Sequence, residues 1–388
     1  MRVFLSLVLT VIAAACAGAL GNAFALADEG AVVIGAVYNL SGGQQDLDIP
    51  SAQGARLAVD LANEKGGVLG RKVILRLVDG ETKPDVIAAK TRALIAGEPK
   101  IAGLIGLSDT DMVLAAAKKA AAAKRVFLTS GATSPLLPEQ VPQFLFLACF
   151  GDNVQAAAGA EFAYDALKAR KAAVLYRQGS SYAELLHGYF ETRFKALGGE
   201  VVAVEPYTLD GIGTLAAKLP QVDLIYIATL PDGVATVVPT LRQAGIAAPL
   251  LGGDGLDIGE AWSKVGNATD IYFTTHAYLG ADDPDPEVRA FRAAFARANP
   301  EQEPGAFAAL GYDAARMLLA AIARAGSTAP EAVRESLAQT EDFAGVTGKI
   351  GYEAGSQIPL KSVAVMKVDG GRQSFQAAIL PKSVPSPR

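Results

Sequence analysis

With 388 residues, 51% of them apolar, the chain has room for two domains with cores of their own. A formal net charge of −5 without basic runs argues against a nucleic-acid partner or an anionic membrane surface. Two cysteines exclude a disulfide framework, and two histidines leave little to build a metal centre from.

The first 27 residues read as a segment to be removed. Arg2 precedes an apolar run over 3–15, and Ala25-Leu26-Ala27 precedes Asp28, the pattern of a secretory signal peptide. The run is too short to span the hydrocarbon of a bilayer. Cleavage before a lipid-modified Cys16 is disfavoured, because Ala13 stands where such sites carry Leu or Val. Processing at Ala27 leaves Cys149 as the one cysteine, so the mature fold must rest on its core. A disulfide-free, exported, soluble protein points to the periplasm or the cell surface, the periplasm being the expectation.

Strand-like runs then alternate with helical periods. Strands are expected at 32–37, 72–78, 102–107 and 125–128, with helices at 52–63, 85–96 and 110–123. The alternation restarts with helices at 156–167, 182–197 and 233–244 and strands at 172–176, 200–205, 224–228, 249–252 and 271–275. A crossing is expected over 144–152. Helices at 287–298, 305–325 and 330–339 and strands at 347–352 and 362–368 close the chain. Strict alternation predicts an α/β fold of two doubly wound parallel-sheet lobes. The tail is too small for a core of its own and must pack on both.

Catalytic chemistry is missing. Neither His187 nor His276 sits in a metal spacing, and each reads as an ordinary surface or hinge residue. No nucleophile elbow or phosphate loop occurs. The run Gly252–Gly259 brushes the dinucleotide pattern, but its spacing and place in the chain are wrong. No cofactor, metal or catalytic residue is expected.

In open parallel sheets, ligands sit beyond the carboxyl ends of the strands. Those ends carry Ser108, Asp109 and Thr110; Thr129 to Ser134; Arg177 to Tyr182; Thr229 and Asp232; and Asp254. Helix capping explains some of them, since Ser, Thr and Asp accept hydrogen bonds from the free N–H groups of a first turn. A capping hydroxyl can also face a ligand. The crowding of hydroxyls around Gly131 exceeds what one cap requires, and Gly131 lets a ligand approach the backbone. Asp109, Asp232 and Asp254, with Arg177 the one nearby cation, favour a ligand bearing an amine.

These residues resemble the substrate-binding proteins of branched-chain amino acid ABC transporters, the leucine/isoleucine/valine-binding family. The likeness runs from about 32 to about 368. It is carried by Leu40-Ser41-Gly42, Gly54-Ala55, Asn63, Gly66-Gly67-Val68-Leu69-Gly70-Arg71, "GATSPLL", "GYDAARMLLAAIARAGS" and "DFAGVTGKIGY". The resemblance implies a type I periplasmic binding fold, with a three-crossing hinge between one lobe of 28–148 plus 278–360 and another of 149–277 plus 361–388. It also implies a ligand carboxylate on Ser108, Gly131 and Thr133, an aromatic cover from Tyr182, and an ammonium on Asp254, with Asp109, Ala132 and Thr229 beside them. The opening loop departs from relatives, with Gln44, Gln45, Asp46 and Asp48 where Pro, Ala and Gly are common. Thr229-Leu230-Pro231-Asp232 lacks the aromatic that some amino-acid binders place there.

The expected function is therefore capture of a small polar ligand, an amino acid or related amine or carboxylate, for a membrane permease of an ABC transporter, by a monomer. Relatives that bind aromatic acids, amides or urea, and sensors built on the same fold, are the alternatives.

Overall fold

The computed structural model describes residues 30–353 and 355–388; the signal-peptide reading and Cys16 lie outside them. β1 (Val32–Tyr38) is apolar throughout and buried at every position, as a strand covered on both faces must be. It leads into α1 (Gln45–Glu64), β2 (Val73–Asp79), α2 (Pro84–Gly97), β3 (Leu104–Gly106), α3 (Thr110–Ala122) and β4 (Phe127–Thr129). A one-turn α4 (Leu137–Gln140) and β5 (Leu145–Leu147) complete the run. The five strands form one parallel sheet in the order β2-β1-β3-β4-β5.

The chain crosses over and builds again: α5 (Asp152–Asp165), β6 (Lys171–Arg177), α6 (Ser181–Ala196), β7 (Glu200–Tyr207), α7 (Ile212–Ala216), β8 (Leu224–Ala228), α8 (Pro231–Gln243) and β9 (Leu250–Gly252). Two 3₁₀ turns, Asp254–Leu256 and Gly259–Lys264, precede β10 (Ile271–Thr275). The tail supplies α9 (Pro286–Ala298), α10 (Ala306–Ala325), α11 (Pro330–Ala338), the hairpin β11 (Phe343–Gly345) and β12 (Gly348–Ile350), then β13 (Val363–Asp369) and β14 (Arg372–Ile379). The second sheet runs β14-β13-β10-β9-β8-β6-β7, parallel except where β13 meets β10 and β14. The tail thus divides its packing. α10 lies along α1 in the first lobe, and the last two strands extend the second sheet.

Several boundaries moved. α1 begins seven residues before the expected 52, because Pro50 is tolerated inside its second turn, where only one backbone bond is lost. β4 starts at Phe127 and takes Thr129 into the sheet. The expected strand at 347–352 is half of a short hairpin, and β14 was not anticipated. α10 is long and apolar enough to cross a membrane, but most of it is buried in the core.

Three passages join the lobes, after β5, after β10 and before β13. The first and third are tied together. Leu147 N donates to Gln357 O at 2.9 Å, Tyr352 Oη to Leu147 O at 2.9 Å, and Lys361 Nζ to Ala148 O at 3.2 Å.

Candidate functional site

The carboxyl ends of both sheets face one cleft. In the first lobe the exit of β3 is made by Gly106, at φ +135°; a Cβ there would lie 1.8 Å from Val37 O. Leu107 follows at φ +54°, a conformation rare for a non-glycine residue and fixed here by full burial. This sharp turn presents Ser108 and Asp109. Asp109 caps α3, accepting from Asp111 N at 3.0 Å and Met112 N at 3.1 Å. Its other oxygen accepts from Gln44 Nε2 at 3.2 Å.

The hydroxyl-rich loop after β4 is mostly occupied in building itself. Thr129 Oγ1 donates to Leu107 O at 2.8 Å and accepts from Ala132 N at 3.2 Å. Ser130 Oγ pairs with Tyr38 Oη at 2.9 Å, and Ser134 Oγ accepts from Leu136 N at 3.3 Å. Thr133 stands beside Asp152. A Cβ on Gly131 would sit 3.0 Å from both Ser108 Oγ and Phe307 Cε1, so this glycine lets three elements meet. Ala132 is fully buried.

In the second lobe Asp254, at the end of β9, is the centre of a buried network. It accepts from Tyr182 Oη at 2.8 Å and Gln155 Nε2 at 2.8 Å, and pairs with His276 Nε2 at 2.9 Å. Gly255 N donates to Tyr182 Oη, and Gln155 Nε2 also reaches Asp152 at 2.9 Å. Tyr182 is therefore buried in its own lobe, bound to Asp254. Burial, then the charge of Asp254, holds its phenol well above the usual range. Thr229 is buried beside Tyr207, with its hydroxyl toward Leu230 O. His276 lies in the passage after β10, as the hinge alternative of the sequence reading had it, and corrects only the surface alternative. It is 2% exposed, stacked on Phe150 at 4.1 Å and met edge-on by Phe307.

Electrostatically the cleft is acidic. Burial pushes Asp48 up to about 7, Asp109 to about 6, and Asp152 to about 8, with neighbouring carboxylates adding to each. The lobes touch across the cleft. Ser181 N donates to Asp111 Oδ2 at 3.2 Å, and Asp232, paired with Arg177 at 3.1 Å, lies against Gly43. A cavity of about 620 Å³ adjoins the site through Phe307, lined from both lobes by Ile49, Gln53, Asp257, Ala277 and Arg292. Among the described residues no cluster of three or more His, Cys, Asp or Glu could hold a metal ion. Cys149 is buried against Ala132 O, and burial raises its thiol well above the ordinary value, which makes it a poor nucleophile.

Sequence reasoning missed Asp48, Asp152, Gln155, His276 and Phe307. His276 had a signal, since it follows β10 at the same sheet edge as Asp254. Phe307 had none, because it reaches the cleft from the returning α10.

Residues 31–373 match the family model described as periplasmic binding protein. A Leu/Ile/Val-binding protein of Rhizobium johnstonii, BraC3, is 28% identical over 90% of this chain and 95% of its own. The crystal structure of the leucine binding protein LivK of Thermotoga maritima superposes with a TM-score of 0.81 at 30% identity, covering 90% of this chain and 99% of that one. The branched-chain amino acid transporter substrate binding protein LivJ of Streptococcus pneumoniae, solved with isoleucine, gives 0.81 at 25% identity, covering 90% and 98%. Two parallel-sheet lobes meeting at their strand ends, and a match over almost the whole described chain, place this protein in the periplasmic binding protein family, among the leucine/isoleucine/valine-type substrate-binding proteins of ABC transporters.

Proposed function

We propose that the protein captures a small amine-bearing solute, an amino acid or a close relative, between its lobes and delivers it to an ABC permease in the periplasm. The observation that carries this is the set of buried carboxyls converging from both sheets: Asp48 and Asp109 from the first lobe, Asp152 and Asp254 from the second. An ammonium group relieves the cost of burying them; a simple anion would add to it. The names of the relatives support amino acids as the first compounds to try. The cleft is completed within one chain, which supports a monomer as the working unit. The site is proposed to comprise Ser108, Asp109, Gly131, Ala132, Thr133, Tyr182, Thr229 and Asp254, joined by Asp152, Gln155, His276 and Phe307. Residues 1–27 are proposed to direct export.

Mass spectrometry of the small molecule released from natively purified protein identifies the solute. Titration calorimetry on two variants then tests the site. Asp254→Asn removes a charge from the amine end and is expected to weaken binding roughly ten- to a hundredfold. Gly131→Val drives side-chain carbons against Ser108 and Phe307 and is expected to weaken binding at least as much. Wild-type affinity in both variants would remove the site from this cleft.

A further inference from the structure

Asp254 has little acceptor capacity left. Its Oδ1 accepts from Tyr182 Oη and from Gln155 Nε2, each at 2.8 Å, and its Oδ2 pairs with His276 Nε2 at 2.9 Å. A carboxylate offers about four acceptor positions over its two oxygens, so Oδ1 is filled and a single position remains on Oδ2. That is the oxygen His276 holds. The torsion that carries the two oxygens of an aspartate is broad, so the free position is aimed by whatever fixes Oδ2.

His276 is itself fixed by aromatic contacts. It is 2% exposed, and its Nδ1 is buried with no hydrogen-bond partner among the described residues. One face of the ring stacks on Phe150, with centroids 4.1 Å apart and planes at 21°. Phe307 meets it edge-on at 5.6 Å and 80°. Phe150 is fully buried in the passage after β5 and packs on Val154, Ala158 and Val363. Phe307 comes from α10 in the first lobe. The ring thus has aromatic walls and one polar link, and that link ends on Asp254. A residue needed only for packing would be served better by an apolar ring, since an unpartnered ring nitrogen in the core is costly.

We infer that His276 is a positioning residue for amine recognition: it aims the one free acceptor of Asp254 at the solute, while Phe150 and Phe307 hold its ring. This rests on the amine reading of the cleft. His276 acts through Asp254 and makes no contact with the solute itself, and Phe150 acts one step further out.

The test is calorimetry on ligand-stripped protein. The twenty standard L-amino acids, ranked by thermal shift, supply the tightest probe, and its des-amino acid is the matched probe without the amine. Wild type is expected to prefer the amino acid by about tenfold or more. His276→Phe keeps an aromatic ring on Phe150 and removes the donor. It is expected to cut that preference by about tenfold, with the des-amino acid bound within about threefold of its wild-type affinity. His276→Gln, whose amide nitrogen stands in for Nε2, is expected to recover part of the preference. Phe150→Leu removes the stacked face and no polar group. It should lower the preference by about threefold, and it serves as the readout if His276→Phe is misfolded by circular dichroism. A preference unchanged or raised in His276→Phe, an unchanged one in Phe150→Leu, both probes weakened equally, or no recovery in His276→Gln overturns the positioning role and leaves the amine reading standing. Equal wild-type affinity for the two probes, or no binding by any of the twenty, overturns the amine reading and the positioning role with it.

Discussion

Gly311→Ala is expected to destabilise the fold by upwards of about 3 kcal/mol. A Cβ at Gly311 would lie 1.8 Å from Ser51 O and 2.5 Å from Ser51 C. The reciprocal contact is as tight, since a Cβ on Gly54 would lie 1.9 Å from Ala308 O. α1 and α10 therefore touch backbone to backbone at two glycines, and no rotamer change can make room. The helices would have to separate, and they hold Asp48 and Phe307 at the cleft, so binding should fall with stability. Urea denaturation followed by circular dichroism measures the loss. Gly188→Ala, in α6, is the control. An added Cβ there meets nothing within 4 Å, and helix propensity alone should raise stability by about 0.5 to 1 kcal/mol. An unchanged urea midpoint in Gly311→Ala would contradict the close crossing.

The two lobes were legible because parallel strands buried on both faces leave uninterrupted apolar runs, as at 32–37 and 224–228. The start of α1 was not. Gly42-Gly43 and Pro50 read as loop, and only packing against α10 supplies what local propensity withholds. The strand-end rule brought Ser108, Asp109, Tyr182 and Asp254 to the sheet edges that line the cleft, since each lies past its strand. In the loop after β4 it could not tell which hydroxyls the fold itself uses. Thr129 and Ser130 bond to Leu107 and Tyr38, long-range partners that no spacing reveals. It also left Asp254 unaccompanied, because Gln155 and His276 come from α5 and the exit of β10, and only the folded second sheet brings them together.

The ligand-free protein is expected to lose stability as the pH rises from about 4 to about 8. Asp48, Asp109 and Asp152 have folded values near 7, 6 and 8, against an ordinary value of 3.8. Burial favours the protonated form, so between these limits the native state holds protons that the unfolded chain has released. Stability then falls with pH across that range, the three carboxyls titrating as one interacting set. Asp257 and Asp313 are pushed the same way. Lys361, lowered to about 8 by burial, acts with the opposite sign and only above that pH. Asp152→Asn keeps an acceptor for Gln155 and removes the charge. It should add about 3 to 5 kcal/mol at pH 8 and almost nothing at pH 4. Melting temperatures of wild type and variant at pH 4, 6 and 8 give the answer. A wild-type curve that is flat over this range, or an Asp152→Asn protein no more stable than wild type at pH 8, would show that these carboxyls are not held against their charge. On the proposed amine reading, a cation favours the ionised carboxyls, so stabilisation by an amine ligand should grow with pH across the same window. On that reading, the carboxyls that weaken the ligand-free fold are the groups that a cationic ligand would satisfy.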